Sequence, residues 1–318
     1  MKSIEGADIK EGTKVLLRVD WNLPINEAGE ILDFSRIEAS LKTIEYIKNK
    51  GGTPVIASHF GREGDPIEPV IDFAKKHYPI LEDGVEFLEN LRKNPGEESN
   101  SEEFAKELAD KVDIYVNEAF SVSHRKHASI VGVPKLLPSF VGFRFLEEFE
   151  KLSEAFNPER PFLFILGGAK FETKLPLIEK FLEIADDIFI GGALAAEASK
   201  MEISNNPKII FPVGDITALD ANTETLEILK EKIADAEFVL WNGPLGNYEK
   251  GFVAGTVALS RMLAESDKKV IVGGGDTLAV INPDVKKQIS THGFISTAGG
   301  AMLDFLANGT LPGIEVLK

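Results

Sequence analysis

The stretch Lys14-Val15-Leu16-Leu17-Arg18-Val19, the run Ser35 to Lys50, and Thr53-Pro54-Val55-Ile56-Ala57 decide the fold between them. Both short segments are apolar and rich in branched residues, as strands buried on two faces are. The run between them has helical period: Ile37, Leu41, Ile44, Tyr46 and Ile47 fall largely on one stripe. Asp33 or Ser35 is the expected N-cap and Gly51 the stop. Strand, crossover helix, strand is the unit from which parallel sheets are built.

Outward from that unit the same alternation repeats, with strand-like segments near 85–88, 113–116, 162–166, 187–190, 208–212, 237–241, 268–272 and 293–296. It predicts parallel sheets wrapped by helices. A chain of 318 residues, 43% of them hydrophobic, is enough for two cores of roughly 150 residues each. The break between them is expected where a mixed apolar and acidic helix, Val141 to Phe156, runs into Asn157-Pro158-Glu159-Arg160-Pro161 before the strand at 162–166. The polar run Pro95 to Glu103 reads as a solvated loop leading into a helix capped near Ser99 or Ser101.

A net charge of −16 argues against a broad nucleic-acid or anionic-membrane surface, so the arginines are expected to act locally on small anionic metabolites. The chain has no cysteine, which excludes disulfides and thiolate chemistry and fits a reducing cytoplasm. Its start lacks the apolar stretch of a signal peptide, and no run approaches the ~18 apolar residues of a membrane span. The expected setting is cytoplasmic, with no membrane or nucleic-acid partner, and the expected state is a monomer.

The two halves differ in the residues placed just beyond their strands. In the first half these are charged or polar: Arg18, Asp20 and Asn22; His59 and Arg62; Arg92; His124, Arg125 and His127. Open parallel sheets bind ligands beyond the carboxyl ends of their strands, so these residues are candidates for one anion-binding crevice. A zinc site at His124 and His127 lacks a third ligand of suitable spacing. In the second half the strands run into glycine turns: Gly167-Gly168-Ala169-Lys170, Trp241-Asn242-Gly243-Pro244-Leu245-Gly246, Gly273-Gly274-Gly275-Asp276-Thr277 and Ser296-Thr297-Ala298-Gly299-Gly300.

Such turns let phosphates approach backbone amides at helix starts, although tight strand-to-helix packing also calls for glycine. Lys170 and Lys174, four apart, could follow one polyphosphate from the same side of a starting helix. A carboxylate such as Asp276 beside polyphosphate needs a cation, so it is the candidate magnesium ligand, and Glu249 is close enough to the Gly246 turn to reach a sugar hydroxyl. Trp241 and Phe252 read as core or wall. Neither the P-loop spacing nor a well-placed dinucleotide fingerprint is present, which counts against a nicotinamide oxidoreductase.

Taken in order, Arg18-Val19-Asp20-Trp21-Asn22-Leu23-Pro24, Ser58-His59-Phe60-Gly61-Arg62, Leu88-Glu89-Asn90-Leu91-Arg92, Tyr115-Val116-Asn117-Glu118-Ala119-Phe120, His124-Arg125-Lys126-His127 and the four glycine turns resemble the phosphoglycerate kinase family over nearly the whole chain. The resemblance implies an α/β fold of two Rossmann-like three-layer domains with parallel sheets, joined by a helical hinge across a cleft. It divides the chain into a phosphoglycerate-binding domain over 1–145, a nucleotide-binding domain over 146–305, and a tail over 306–318 that returns to the first domain. It implies reversible, Mg2+-dependent phosphoryl transfer from 1,3-bisphosphoglycerate to ADP, giving 3-phosphoglycerate and ATP. On that resemblance Asp20, Asn22, Arg36, His59, Arg62, Arg92 and Arg125 bind phosphoglycerate, and Arg36 steadies the phosphoryl group in flight.

It further implies that Lys170 and Lys174 meet the nucleotide phosphates, with Lys170 also catalytic, and that Gly168, Gly192, Asn242 and Gly275 border the nucleotide. Glu249 would hold ribose, Asp276 magnesium, and Thr277 with the amides of Gly299 and Gly300 would complete the phosphate cradle. Two segments depart from the family pattern. Asp220-Ala221-Asn222-Thr223-Glu224-Thr225 replaces an Asp-Ile-Gly-Pro-x-Thr segment, and Ala298 replaces the first glycine of a Ser-Thr-Gly-Gly-Gly-Ala turn. The chain is also short between Arg62 and Leu88 and between Ala198 and Phe211. These changes leave room for a non-catalytic nucleotide or phosphometabolite sensor as the alternative.

Overall fold

A computed structural model of the protein describes residues 1–26, 28, 30–169 and 171–318, with Thr173 described in its backbone alone. The chain divides into two compact units, one of Met1–Phe149 with Thr310–Lys318 and one of Glu150–Gly309. Each is an α/β unit on a fully parallel sheet.

In the first unit β1 (Lys14–Arg18), α1 (Ser35–Asn49) and β2 (Thr53–Ala57) form the expected strand–helix–strand, followed by α2 (Glu68–His77), β3 (Glu86–Phe87), α3 (Glu102–Ala109), β4 (Ile114–Asn117) and β5 (Ser139–Val141). The sheet order is β3-β2-β1-β4-β5. Ile37, Ile44 and Ile47 of the α1 stripe are fully buried against Val15, Leu17 and Ile56, while Leu41 and Tyr46 pack at the edge of that core. Each fully buried aliphatic side chain there is worth about 1.5–3 kcal/mol.

The second unit begins inside α4 (Phe143–Ser153) and continues through β6 (Phe162–Leu166), α5 (Phe171–Ile184), β7 (Asp187–Ile190), α6 (Ala193–Ala198), β8 (Ile209–Ile210), α7 (Thr223–Asp235) and β9 (Phe238–Asn242). It closes with α8 (Ala254–Glu265), β10 (Lys269–Gly273), α9 (Gly275–Val280), α10 (Pro283–Ile289), β11 (Phe294–Ile295) and α11 (Gly300–Asn308); α12 (Pro312–Glu315) belongs to the first unit. The order is β11-β10-β9-β6-β7-β8, and β6 and β9 are buried at every residue. Trp241 is wholly buried, its Nε1 donating to the Gly243 carbonyl, so it is core as expected.

Four local expectations need correction. The N-cap of α1 is Phe34, with no side-chain cap; Asp33 accepts from the Ser35 amide at 2.8 Å instead. The helix expected from Val141 starts at Phe143, because Ser139–Val141 pairs with β4 as a strand too short to show a period. Its start is capped by the buried Glu118, whose carboxylate accepts from the Arg144 amide at 3.2 Å and the Thr43 hydroxyl at 2.5 Å. The polar run from Pro95 is not wholly solvated: Ser101 caps α3 as expected, but Glu97 is fully buried and accepts from the Ser129 amide and hydroxyl at 2.9 and 2.6 Å. Lastly, Arg18 turns inward. It is 0% exposed and donates to Ser129 Oγ at 2.8 Å, with Glu97 at 3.9 Å, so this arginine is part of a buried charge network and not of an open surface.

Among the described residues no helix is long and apolar enough to cross a membrane.

Candidate active site

In an open parallel sheet the crevice for ligands forms where neighbouring strands send their connections to opposite sides. In the first sheet that point lies between β1 and β4. Asp20 and Asn22 follow β1, and Ser121 follows β4. The Ser121 hydroxyl donates to Asp20 Oδ2 at 2.5 Å across this point, and Arg36 from the first turn of α1 donates to the same oxygen at 2.7 Å and to the Asn22 carbonyl at 3.2 Å. Asn22 Oδ1 accepts from the Gly61 amide at 2.9 Å, which ties the loop after β2 to the loop after β1. Burial is the largest single influence and discourages ionisation of Asp20, but Arg36, His59, the Ser121 hydrogen bond and Arg18 together outweigh it and hold the carboxyl below its usual range.

His59, after β2, is buried with Nε2 3.9 Å from Asp20 Oδ1, and an Arg18 nitrogen lies 3.3 Å from Nδ1. Burial, then the charge of Arg18, with Arg92 and Arg125 contributing, pushes its pKa down to about 3, so it is a neutral imidazole at any physiological pH. The guanidinium can only donate, so Nδ1 accepts and the proton resides on Nε2, facing Asp20. Arg92 donates to the Gly61 carbonyl and pairs with Glu98 at 3.1 Å. With the exposed Arg62 it borders a depression that Asn94, Pro95 and Glu98 also line. Arg125 is half-buried in the turn after β4. All seven expected residues therefore lie on the loops at one end of this sheet or, for Arg36, at the start of α1.

The second sheet has its switch point between β6 and β9. Here backbone meets backbone: the Gly167 amide donates to the Asn242 carbonyl at 2.8 Å and the Gly168 amide to the Pro244 carbonyl at 2.7 Å. A Cβ on Gly243, whose φ is +96°, would fall 2.1 Å from the Gly167 carbonyl oxygen, and one on Gly192 would fall 2.8 Å from the Gly168 nitrogen. These glycines are required by packing. Gly275, Gly299 and Gly300 differ, since a Cβ on any of them meets nothing within 4 Å. They stand at the starts of α9 and α11, where nothing crowds the backbone.

Lys174 of α5 is nearly buried and donates to the Gly167 carbonyl at 2.6 Å. Burial pushes its pKa down to about 8, against the opposing pull of Asp276. Asp276 is exposed in the first turn of α9, and the Tyr248 hydroxyl donates to its Oδ1 at 2.9 Å. Glu249 is exposed in the same short turn as Tyr248. Thr277 and Asn242 are buried: the Thr277 hydroxyl accepts from the Gly243 amide at 2.8 Å, and Asn242 donates to Met302 Sδ at 3.6 Å. Lys170 lies outside the described residues.

Sequence reasoning missed a small hollow beside Gly192, walled by Phe189, Pro212 and Leu245 and by the polar Asp215, Asn222 and Thr225. Its floor includes the departing segment 220–225, which the structure explains as a set of helix caps. Asp220 accepts from the Gly255 amide at 3.2 Å at the start of α8, and Asn222 caps α7 through the Thr225 amide at 2.9 Å. The pattern of Asn followed three residues later by Thr at a helix start was visible beforehand. Ala298 needs no left-handed backbone: that conformation belongs to Gly299, φ +55°, and Ala298 is a buried wall residue.

The family model described as phosphoglycerate kinase matches residues 4–83, 67–206 and 196–309. A phosphoglycerate kinase of Finegoldia magna is 36% identical over 387 aligned positions, covering 96% of each chain. That alignment is longer than the present chain, so the relative carries segments this one lacks. Among solved structures, the phosphoglycerate kinases of Coxiella burnetii and Pyrococcus horikoshii superpose with TM-scores of 0.85 and 0.84 at 29% and 26% identity, covering 99% and 100% of this chain and 98% of each of theirs. A chain matched along its length in sequence and in fold, with its polar loops at the switch points of two parallel sheets, belongs to the phosphoglycerate kinase family.

Proposed function

We propose that this chain catalyses the reversible transfer of a phosphoryl group from the acyl phosphate of 1,3-bisphosphoglycerate to ADP, giving 3-phosphoglycerate and ATP. The observation that carries this reading is a complementary pair of switch points. The first carries Asp20, Arg36 and His59; the loops at the same end of the second sheet carry Lys174, Asp276 and the uncrowded glycines that begin α9 and α11. Arginine forks and a neutral imidazole suit a substrate with carboxylate and phosphate groups, and open helix starts suit a polyphosphate.

The hollow beside Gly192, with Phe189, Pro212 and Leu245 on its walls and Asp215, Asn222 and Thr225 among its polar groups, would receive the base of the nucleotide, and Glu249 would hold the ribose. Lys170, two residues after Gly168 in the sequence, would join Lys174 at the phosphates. Among the described residues no cluster of three or more His, Cys, Asp or Glu could cage a metal. A single exposed carboxylate, Asp276, fits a magnesium ion that takes its remaining ligands from phosphate oxygens and water. Bound so, the ion would neutralise phosphate charge.

Phosphoryl transfer of this kind depends on positioning and charge neutralisation, and it needs no protein nucleophile. Arg36 on the first unit would steady the phosphoryl oxygens in transit, and the amides of Gly299 and Gly300 on the second would bind phosphate. The acyl and nucleotide oxygens react only within bonding distance and with water excluded. ATP formation from ADP and freshly generated 1,3-bisphosphoglycerate, with and without Mg2+, tests substrate, reaction and metal together. Full turnover without the metal, or binding of both ligands without ATP, would overturn the assignment.

A further inference from the structure

Tyr248 sits in the short turn Tyr248–Lys250, between an Asn247 that caps the turn and a left-handed Gly251. Its hydroxyl hydrogen has one acceptor, Asp276 Oδ1 at 2.9 Å, reached across from α9. Among the described residues Asp276 Oδ2 accepts nothing. One oxygen of the carboxylate is thus fixed by a donor while the other stays open, and the side chain cannot rotate about χ2 without losing that bond. Hydrogen bonds of this kind orient a ligating carboxylate and sharpen its geometry.

We infer that Tyr248 is a positioning residue for the divalent cation of the nucleotide site, holding Asp276 so that Oδ2 faces the metal–phosphate complex. This rests on the nucleotide-site reading above and deepens it. The Tyr248 turn also carries Glu249, so the hydroxyl links the turn proposed for the sugar to the carboxylate proposed for the metal.

The test is titration calorimetry of ADP with and without Mg2+ on the full chain, for wild type, Tyr248→Phe and Asp276→Asn. The phenylalanine variant removes one oxygen from an accessible ring. Its metal-free ADP affinity is expected to match wild type, whereas the gain in affinity conferred by Mg2+ shrinks by about tenfold. Equal Mg2+ gains in wild type and Tyr248→Phe, with the gain lost in Asp276→Asn, would overturn the inference and leave the site reading standing. A parallel fall in metal-free and Mg2+-bound affinity would also overturn it, because the hydroxyl would then only stiffen the turn. A wild-type chain indifferent to Mg2+ would remove the metal assignment itself, and the inference with it.

Discussion

The switch points of the two sheets share a topology and differ in material. Between β1 and β4 the crevice is made of side chains that hydrogen-bond one another: Arg36 and Ser121 on Asp20, Arg18 behind His59. Between β6 and β9 it is made of main chain, with glycines where a Cβ would strike a neighbouring carbonyl, while the glycines where a Cβ would strike nothing stand at the starts of α9 and α11, after β10 and β11. The first kind of site selects a ligand by charge and hydrogen-bond pattern. The second selects by approach, since only a group that reaches bare amides gains from them. Two sites on one architecture thus fail in different ways when altered.

The largest break is expected at Arg36. Because its guanidinium is already partly satisfied by Asp20 and the Asn22 carbonyl, ground-state binding should depend on it little and the transition state strongly. Arg36→Ala should lower kcat by about 10²–10³ with a modest change in KM for 3-phosphoglycerate. Steady-state kinetics decides; a large KM rise with kcat intact would make it a binding residue only.

The glycine half predicts a contrast within itself. Gly243→Ala places a methyl group into the Gly167 carbonyl on a left-handed backbone and should cost about 3 kcal/mol of stability. Gly275→Ala meets no neighbour and should shift stability by less than about 1 kcal/mol, yet weaken ADP binding by crowding the start of α9. Denaturation midpoints and ADP titrations on both variants would show it. Equal stabilities would erase the distinction between packing and open glycines.

The smallest effect is a pH dependence set by Lys174. The folded chain releases this proton near pH 8, whereas the ordinary value is 10.5, so the unfolded chain binds more protons between the two. The contribution of this group to stability therefore rises as pH climbs through that window and falls back as pH drops toward 8. Phosphate binding favours the charged amine, and ADP affinity should decline past pH 8 by at most about tenfold per unit. Lys174→Gln should flatten both profiles, measured by thermal unfolding and ADP titration from about pH 7 to 9.5.

Much of this could be read from residue order alone. All ten expected strands form, and the α1 stripe is buried as its period required, because apolar periodicity and turn residues act over a few neighbours and are written locally. The loops that carry Asp20, His59, Arg92 and Asp276 were legible for the same reason, since parallel strands dictate which end holds ligands. Beyond that reach lay the contacts between distant segments. Arg18 reads as a crevice residue until Glu97 and Ser129, remote in sequence, turn it inward; Glu97 reads as a solvated charge until they bury it. Gly243 and Gly275 have the same letter and opposite duties, told apart only by the atoms that surround them. Residue order settles which elements form and where their polar ends lie, and tertiary packing decides which of those groups face a ligand, because desolvation and pairing depend on neighbours that the chain brings close only by folding.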